Sequence, residues 1–535
     1  MIRRKSMIVT AQPEATEAGA CVLMRGGNAV DAAMAAALVQ GVVDPQMCGI
    51  AGFGTCQIYD PYRNLHRTID FHGRTPLAAR EDMWAELLEG EVRIGFGFIL
   101  KGRVNDIGYQ SIATPGSLLA YYEAAEQFGT WDWKDICAPA IEQARQGFRV
   151  RPHVQRWWTH GAEEGQVDNI ERLAFSETGR SIYFRPDGGL KKIGDRVENP
   201  DLANTLERIA RHGAAIFYSG EIAEEMTADI QTNGGLLSIE DLRAYRTVHS
   251  DPARGSYRGY DIFTSNPPGG GLQLIEMLNI LENFDLASLG HNTTQYIRIL
   301  CEAMKAATVD KDKFIADPLF VEIPEFLTDK NYAAAIANGI REGRRITVPR
   351  LTRPEARDTT QVCVVDGDGM CVSMTHSNGM PSGVIVPGLG FMLNGCMGVF
   401  DPRPGNPGSI APGKSRFSAM CPTIVFDNGE PCIVIGAPGG TQISMGVMQA
   451  ILNVLDFDMT MSEAVSAPRF SATSDAIDIA NRIPNYTMEP LIKEGYAVTR
   501  SASSYTIAGV HGISRRNGRL CGGADPGLDG MALEV

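Results

Sequence analysis

Hydrophobic and polar positions follow two rhythms along this chain. Over EATEAGACVLMR (14–25) apolar residues recur at helical spacing until Gly26 and Gly27 stop the run. Asn28 then stands where it can cap a second helix, AVDAAMAAALVQGVV, whose lack of large side chains predicts burial. The stretches GIAGFGTCQIYD (49–60) and LHRTIDFH (65–72) change to strand patterning and read as hairpin partners. From Thr114 to Pro252 the three-and-four spacing returns, as in GSLLAYYEAAEQFG and DLANTLERIARHG, which predicts a mostly helical layer. The segment SNPPGGG (265–271) interrupts it, and LQLIEMLNILENF and HNTTQYIRILCEAMKAATVDKDKF resume the helical style.

The pattern is lost in GIREGRRITVPRLTRPEARD (339–358), which is rich in Arg and Pro and reads as an exposed linker. Strand patterning starts abruptly at Thr359: TTQVCVV, a DGDG turn and MCVSMTH form a hairpin signal. A second hairpin, TIVF–DNGE–PCIVIGAPGG, ends in glycines and feeds the helix TQISMGVMQAILNVL.

Charge narrows the partners. Forty-nine Lys and Arg against 63 Asp and Glu give a net charge of −14, with no basic run to neutralise successive phosphates, so nucleic acid and membrane surfaces are not expected partners. No apolar stretch is long enough for a membrane span or a signal peptide, and a cytoplasmic protein is expected. The 11 Cys lack any C-x-x-C pair and the 9 His are dispersed, so neither a metal nor another cofactor is expected.

Two places carry candidate chemistry. A Thr behind a cleavable linker can become a new N-terminus, and a free α-amine beside a hydroxyl supplies nucleophile and base in one residue. A strand opening on two β-branched residues is also ordinary, so spacing alone leaves both readings of Thr359 open. In GAPGG, Gly439 and Gly440 could aim backbone N–H groups at an oxyanion, or merely turn the chain from strand to helix. The match of GSIAPGKS (408–415) to the phosphate-binding G-x-x-x-x-G-K-S/T pattern has the wrong surroundings, because extended rather than helical patterning follows it. The nucleophile-elbow pattern G-x-S-x-G is absent.

Ordered pieces along nearly the whole chain, among them GGNAVDAAMAAAL, CGIAGFGT, TPGSLLAYYEAAEQFGTW, RGYDIFTSNPPGGG, DTTQVCVVDGDG, VIVPGLGFMLN and GAPGGTQIS, resemble the gamma-glutamyltransferase family of N-terminal nucleophile hydrolases. The resemblance implies an α+β fold, a four-layer αββα sandwich built by both fragments of a self-cleaved precursor. Cleavage between Asp358 and Thr359 would give a large fragment, 1–358, and a small fragment, 359–535, forming one structural domain together. A homodimer of such heterodimers is left open. By the same resemblance Thr359 is the nucleophile, Thr375 the hydroxyl bonded to it, and Gly439 and Gly440 the oxyanion hole.

The substrate positions depart from the family. His72 stands where an Arg holds the α-carboxylate, with Arg74 two residues on. Val399 stands where an acidic residue grips the α-amino group, and Cys396 where a Gln is usual. Ser377, Asn378 and Gly379 replace a T-L-N segment, Ser418 and Ala419 replace a serine pair, and Gln361 stands where His is frequent. An ammonium group set against Val399 would lose a charge-assisted hydrogen bond of roughly 1.5–3 kcal/mol. The expectation is therefore a threonine amidohydrolase, similar to the oxamate-amidohydrolase and cephalosporin-acylase branches, acting on a small-molecule amide whose acyl group bears a carboxylate. His72, Arg74, His376 and Arg416 are candidate ligands for that carboxylate, and Ser377, Cys396 and Ser418 line the same place. The alternative is a true gamma-glutamyltransferase or glutathione hydrolase.

Overall fold

Strands rich in Val, Ile and Thr build two antiparallel sheets in the computed structural model, which describes residues 5–91, 97–161, 166–349 and 359–535. The strands are β1 (Met7–Thr10), β2 (Phe53–Asp60), β3 (Leu65–Phe71), β4 (Val248–Ser250), β5 (Ala253–Tyr257), β6 (Tyr260–Thr264) and β7 (Thr360–Val365). They continue with β8 (Cys371–Ser377), β9 (Thr423–Asp427), β10 (Glu430–Gly436), β11 (His511–Arg516), β12 (Arg519–Gly523) and β13 (Met531–Glu534). One sheet has the order β13-β1-β7-β8-β2-β3-β4 and the other β12-β11-β10-β9-β6-β5. The main helices are α1 (Pro13–Met24), α2 (Ala29–Val43), α3 (Ser117–Phe128), α4 (Trp133–Gln146), α5 (Pro200–His212), α6 (Gly271–Leu281), α7 (Thr294–Phe314) and α8 (Ile443–Leu455). Among the described residues no helix is long and apolar enough to cross a membrane.

Period-two alternation decides what each sheet face touches. Ile8, Ile58, Val362, Val364, Val372 and Met374 join a cluster with α1 to α5, whereas Met7, Val9, Cys363, Val365 and Cys371 meet Ile424, Phe426, Val434 and Ile513 of the second sheet. On the other side of that second sheet, Ile262, Val425, Ile433 and Ile435 pack with α6, α7 and α8. The Ala-rich α2 is buried almost all round, which small side chains permit because helices and sheet can approach closely. Its start is set by a capping box: Asn28 Oδ1 accepts from Val30 N and Asp31 N, and Asp31 Oδ2 accepts from Asn28 N at 2.9 Å.

The expected opening of two helices and two strands, and both later hairpins, are present. Strands β1, β5, β6 and β11 to β13 carry no strong sequence signal. They are short, and their alternation becomes meaningful only against neighbours distant in sequence. The described part of the segment expected as an exposed linker, 339–349, is more ordered than its composition suggests. A helix, Lys330–Arg341, runs into it, and Ile346 N and Val348 N donate to Glu302 Oε2 at 2.7 Å and Asp475 Oδ1 at 2.6 Å. Val348 is fully buried, an anchor that the surrounding Arg and Pro obscured. Asp358 lies outside the described residues.

Candidate active site

The DGDG turn fixes the register of the β7–β8 hairpin. Asp366 Oδ1 accepts from Asp368 N and Met370 N, and Oδ2 accepts from Ala29 N, which also ties the turn to the start of α2. Pairing then runs Val365 with Cys371 through Gln361 with Thr375 to Thr360 with His376. The next residue outward, Thr359, meets Ser377, and its hydroxyl donates to Ser377 Oγ at 3.4 Å. Thr359 is 7% exposed and has the strand parity of Cys363, which faces the second sheet.

This register corrects one expected pairing. Thr375 Oγ1 donates to Gln361 Oε1 at 2.6 Å, so the hydroxyl beside Thr359 is that of Ser377. Counting outward from the DGDG turn would have identified it. Gln361 in turn donates to Ser373 Oγ at 3.0 Å, and Ser373 Oγ donates to Ile435 O at 2.9 Å, so a polar chain joins the hairpin to β10. Gln361 is thus a structural bridge between the sheets.

Strand β10 brings the glycine turn to this end of the sheets. A Cβ on Gly436 would stand 2.4 Å from the Gln361 amide, so a larger residue there would displace that side chain. The chain then turns through Gly439 at φ +146° and Gly440 at φ +54° before α8. At Gly439 a Cβ would also come 2.7 Å from Ala508 Cα.

A buried cation lies next to Ser377. Gly379 N donates to Ser377 Oγ at 2.8 Å, and a Cβ on Gly379 would lie 2.6 Å from Arg416 Nη1. Arg416 is 1% exposed, lies over the Phe53 ring at 4.2 Å and donates from Nη1 to Cys396 Sγ at 3.5 Å. Burial raises the Cys396 thiol pKa, partly offset by that guanidinium. The His72 ring also lies near Phe53, at 5.8 Å between centroids; its Nδ1 meets the Asp70 carboxylate at 3.0 Å and its Nε2 meets Ser418 Oγ at 2.6 Å. Asp70 was not anticipated. Its position two residues before His72, at the end of a strand, was the available signal.

Three other residues lie elsewhere. His376 is on the opposite face of β8, as strand alternation requires, with Nδ1 2.5 Å from Tyr121 Oη and Nε2 2.8 Å from Gln40 Oε1. Gln40 also donates to Thr360 Oγ1 at 2.9 Å, so this network holds the start of β7 from behind. Burial lowers the His376 pKa to about 3, which keeps the ring neutral and unsuited to binding an anion. Arg74 is engaged nearer the surface, over the Tyr245 ring at 5.2 Å and donating to Arg246 O at 3.1 Å. Val399 lines a small cleft with Met380 and Gly395. Lys414 of the phosphate-loop-like segment is buried and donates to Pro407 O and Ser409 O, and no helix follows it, so a phosphate cradle is absent there.

Known proteins match this chain over nearly its whole length. Residues 15–535 fit the family model described as Gamma-glutamyltranspeptidase. The chain is 36% identical over 537 residues to "Acylase ACY 1 proenzyme" of a Pseudomonas species, covering 99% of this chain and 94% of that protein. It is 32% identical over 544 residues to "Glutathione hydrolase proenzyme" of Escherichia coli, covering 98% and 90%. The solved structure of cephalosporin acylase from Bacillus halodurans superposes with a TM-score of 0.87 at 28% identity, covering 99% of this chain and 96% of that one. With the match spanning the fold and both hairpins, the chain belongs to the gamma-glutamyltranspeptidase family and is an N-terminal-nucleophile hydrolase.

Proposed function

We propose that the chain is a self-processing threonine amidohydrolase that cleaves small amides whose acyl group ends in a carboxylate. In processing, the Thr359 hydroxyl attacks the Asp358 carbonyl, the peptide bond becomes an ester, and water splits that ester to leave the Asp358 carboxylate and a free Thr359 α-amine. In turnover the same hydroxyl attacks the substrate carbonyl while the α-amine takes its proton. The leaving amine is reprotonated and departs, and water then hydrolyses the acyl ester. Backbone N–H groups of Gly439 and Gly440 are the proposed oxyanion donors. The two fragments would stay together as a four-layer αββα sandwich.

One observation carries the substrate class: Gly379, whose N–H donates to the Ser377 hydroxyl beside Thr359, also abuts the buried Arg416 guanidinium. Arg416 is the proposed carboxylate anchor, with the Asp70-held His72 and Ser418 as nearby polar contacts. Hydrolysis of gamma-glutamyl compounds is the second reading, favoured by the Escherichia coli relative's name.

Intact-mass spectrometry of wild type beside Thr359→Ala, with N-terminal sequencing, tests processing. A fragment beginning at Thr359 in wild type alone is the expected result, and uncleaved wild type after prolonged incubation overturns it. Turnover of a succinyl amide but not of a gamma-glutamyl anilide supports the first substrate reading, and the reverse supports the second.

A further inference from the structure

The glycine turn after β10 rests on a second segment, 507–509. Gly439 sits at φ +146° and Gly440 at φ +54°, and residues without a Cβ cannot hold such a turn by their own side chains. The restraint comes from outside. Gly509 N donates to Pro438 O at 2.8 Å. That carbonyl belongs to the same planar peptide as the Gly439 N–H, so fixing the oxygen at one end aims the N–H at the other. Ala508, fully buried, braces the turn from next door: a Cβ on Gly439 would stand 2.7 Å from Ala508 Cα, and one on Gly446 of α8 would stand 2.6 Å from the Ala508 methyl.

The brace is itself strained and held. Ala508 is at φ +46°, a left-handed conformation that an L side chain rarely adopts, so its surroundings must enforce it. Three consecutive carbonyls are gripped there. Arg469 Nε donates to Ile507 O at 2.7 Å and Nη2 to Ala508 O at 2.9 Å, and His511 Nδ1 donates to Gly509 O at 2.7 Å. Arg469 is 3% exposed and ion-paired with the fully buried Asp525, whose Oδ1 accepts from Gly527 N at 2.7 Å. A planar guanidinium that serves two carbonyls and a carboxylate at once has little freedom to move.

We propose that Arg469 is the positioning residue of the oxyanion site: by clamping Ile507 O and Ala508 O it keeps 507–509 against the turn, and through Pro438 O that segment aims the Gly439 N–H at the developing oxyanion. The proposal rests on the amidohydrolase reading and its assignment of Gly439 and Gly440 as oxyanion donors. Such donors accelerate a reaction only when their orientation is set beforehand. Loosening them weakens the transition state and leaves substrate binding alone, so kcat falls while KM holds.

Two variants test this on the full chain. Arg469→Lys keeps a charge beside Asp525 but cannot span both carbonyls. Ala508→Gly accepts φ +46° without strain and removes only the bracing methyl, so its melting temperature should stay within about 2 °C of wild type. Steady-state kinetics are measured on succinyl-para-nitroanilide and gamma-glutamyl-para-nitroanilide, using whichever wild type turns over, with kcat counted per cleaved chain from intact mass. We expect kcat to fall about tenfold or more in Arg469→Lys and about threefold or more in Ala508→Gly, with KM within about twofold of wild type in both. A variant that melts as wild type but stays uncleaved has lost the equivalent step, since attack on the Asp358 carbonyl also develops an oxyanion. Unchanged kcat in both variants, a rise in KM at constant kcat, or a loss in Arg469→Lys that Ala508→Gly does not share overturns the positioning role. Wild type that stays uncleaved or turns over neither anilide overturns the amidohydrolase reading, a failure seen without any substitution and so distinct from the first.

Discussion

At the scale of single residues, the register of β7 and β8 separates two hydroxyls that look equivalent in sequence. Ser377 meets the Thr359 hydroxyl, whereas Thr375 is occupied by Gln361. Ser377→Ala is expected to slow processing and turnover about tenfold, the scale of one lost hydrogen bond of ~1.4 kcal/mol. Thr375→Val should chiefly lower the melting temperature, because it strands the buried Gln361 carbonyl. Rates from mass spectrometry and melting curves on both variants check this division. Arg416→Lys keeps the charge but loses the planar fork, so KM for an anionic acyl amide should rise about tenfold with a smaller change in kcat. Unchanged kinetics would remove Arg416 from the substrate site.

At the scale of elements, the buried network of Tyr121 in α3, His376 in β8 and Gln40 in α2 makes stability depend on pH. Burial lowers the His376 pKa to about 3, and those of His66 and His511 to about 4, from 6.5. As pH falls below 6.5 the unfolded chain takes up protons that these folded sites refuse. Stability present above pH 6.5 is therefore lost toward pH 3 to 4, at up to about 1.4 kcal/mol per pH unit for each site. Asp44 acts in the opposite sense: burial raises its pKa from 3.8 to about 6, so it adds stability as pH falls through that window. Glu276, Asp229, Asp366 and Asp456, raised by burial, act in the sense of Asp44, so the His376 contribution is read by comparing a variant with wild type. A His376→Asn protein should melt lower than wild type at pH 7.5, and the difference between the two should shrink as pH falls from 6.5 to 4. Scanning calorimetry across that range measures both.

At the scale of the whole molecule, the two proposed fragments cannot each hold a core. Strand β1 lies between β7 and β13, and β6 pairs with β9, so each sheet joins strands from before and after Thr359. After processing, both fragments should co-elute as one native species in size-exclusion chromatography and separate only in denaturant. Independent elution of the small fragment would contradict the shared core. The ordered approach to the processing segment fits this arrangement, since Glu302 and Asp475 hold Ile346 and Val348 from regions on either side of it.

What was legible in the sequence was local. Asn28 and the paired glycines punctuated the first helices, the DGDG and DNGE turns fixed two hairpins, and Thr359 stood at an abrupt change of rhythm. The chain alone therefore determined the nucleophile candidate, the glycine turn and the general fold class. Tertiary structure decided which side of a strand each residue serves and what lies across from it. It turned His376 away, set Ser377 against Thr359, brought Arg416 over Phe53 and joined Asp70 to Ser418 through His72. The reason is physical: capping and turns depend on neighbours a few residues apart, whereas a site depends on contacts between segments hundreds of residues apart, whose register is fixed only when the sheets pack.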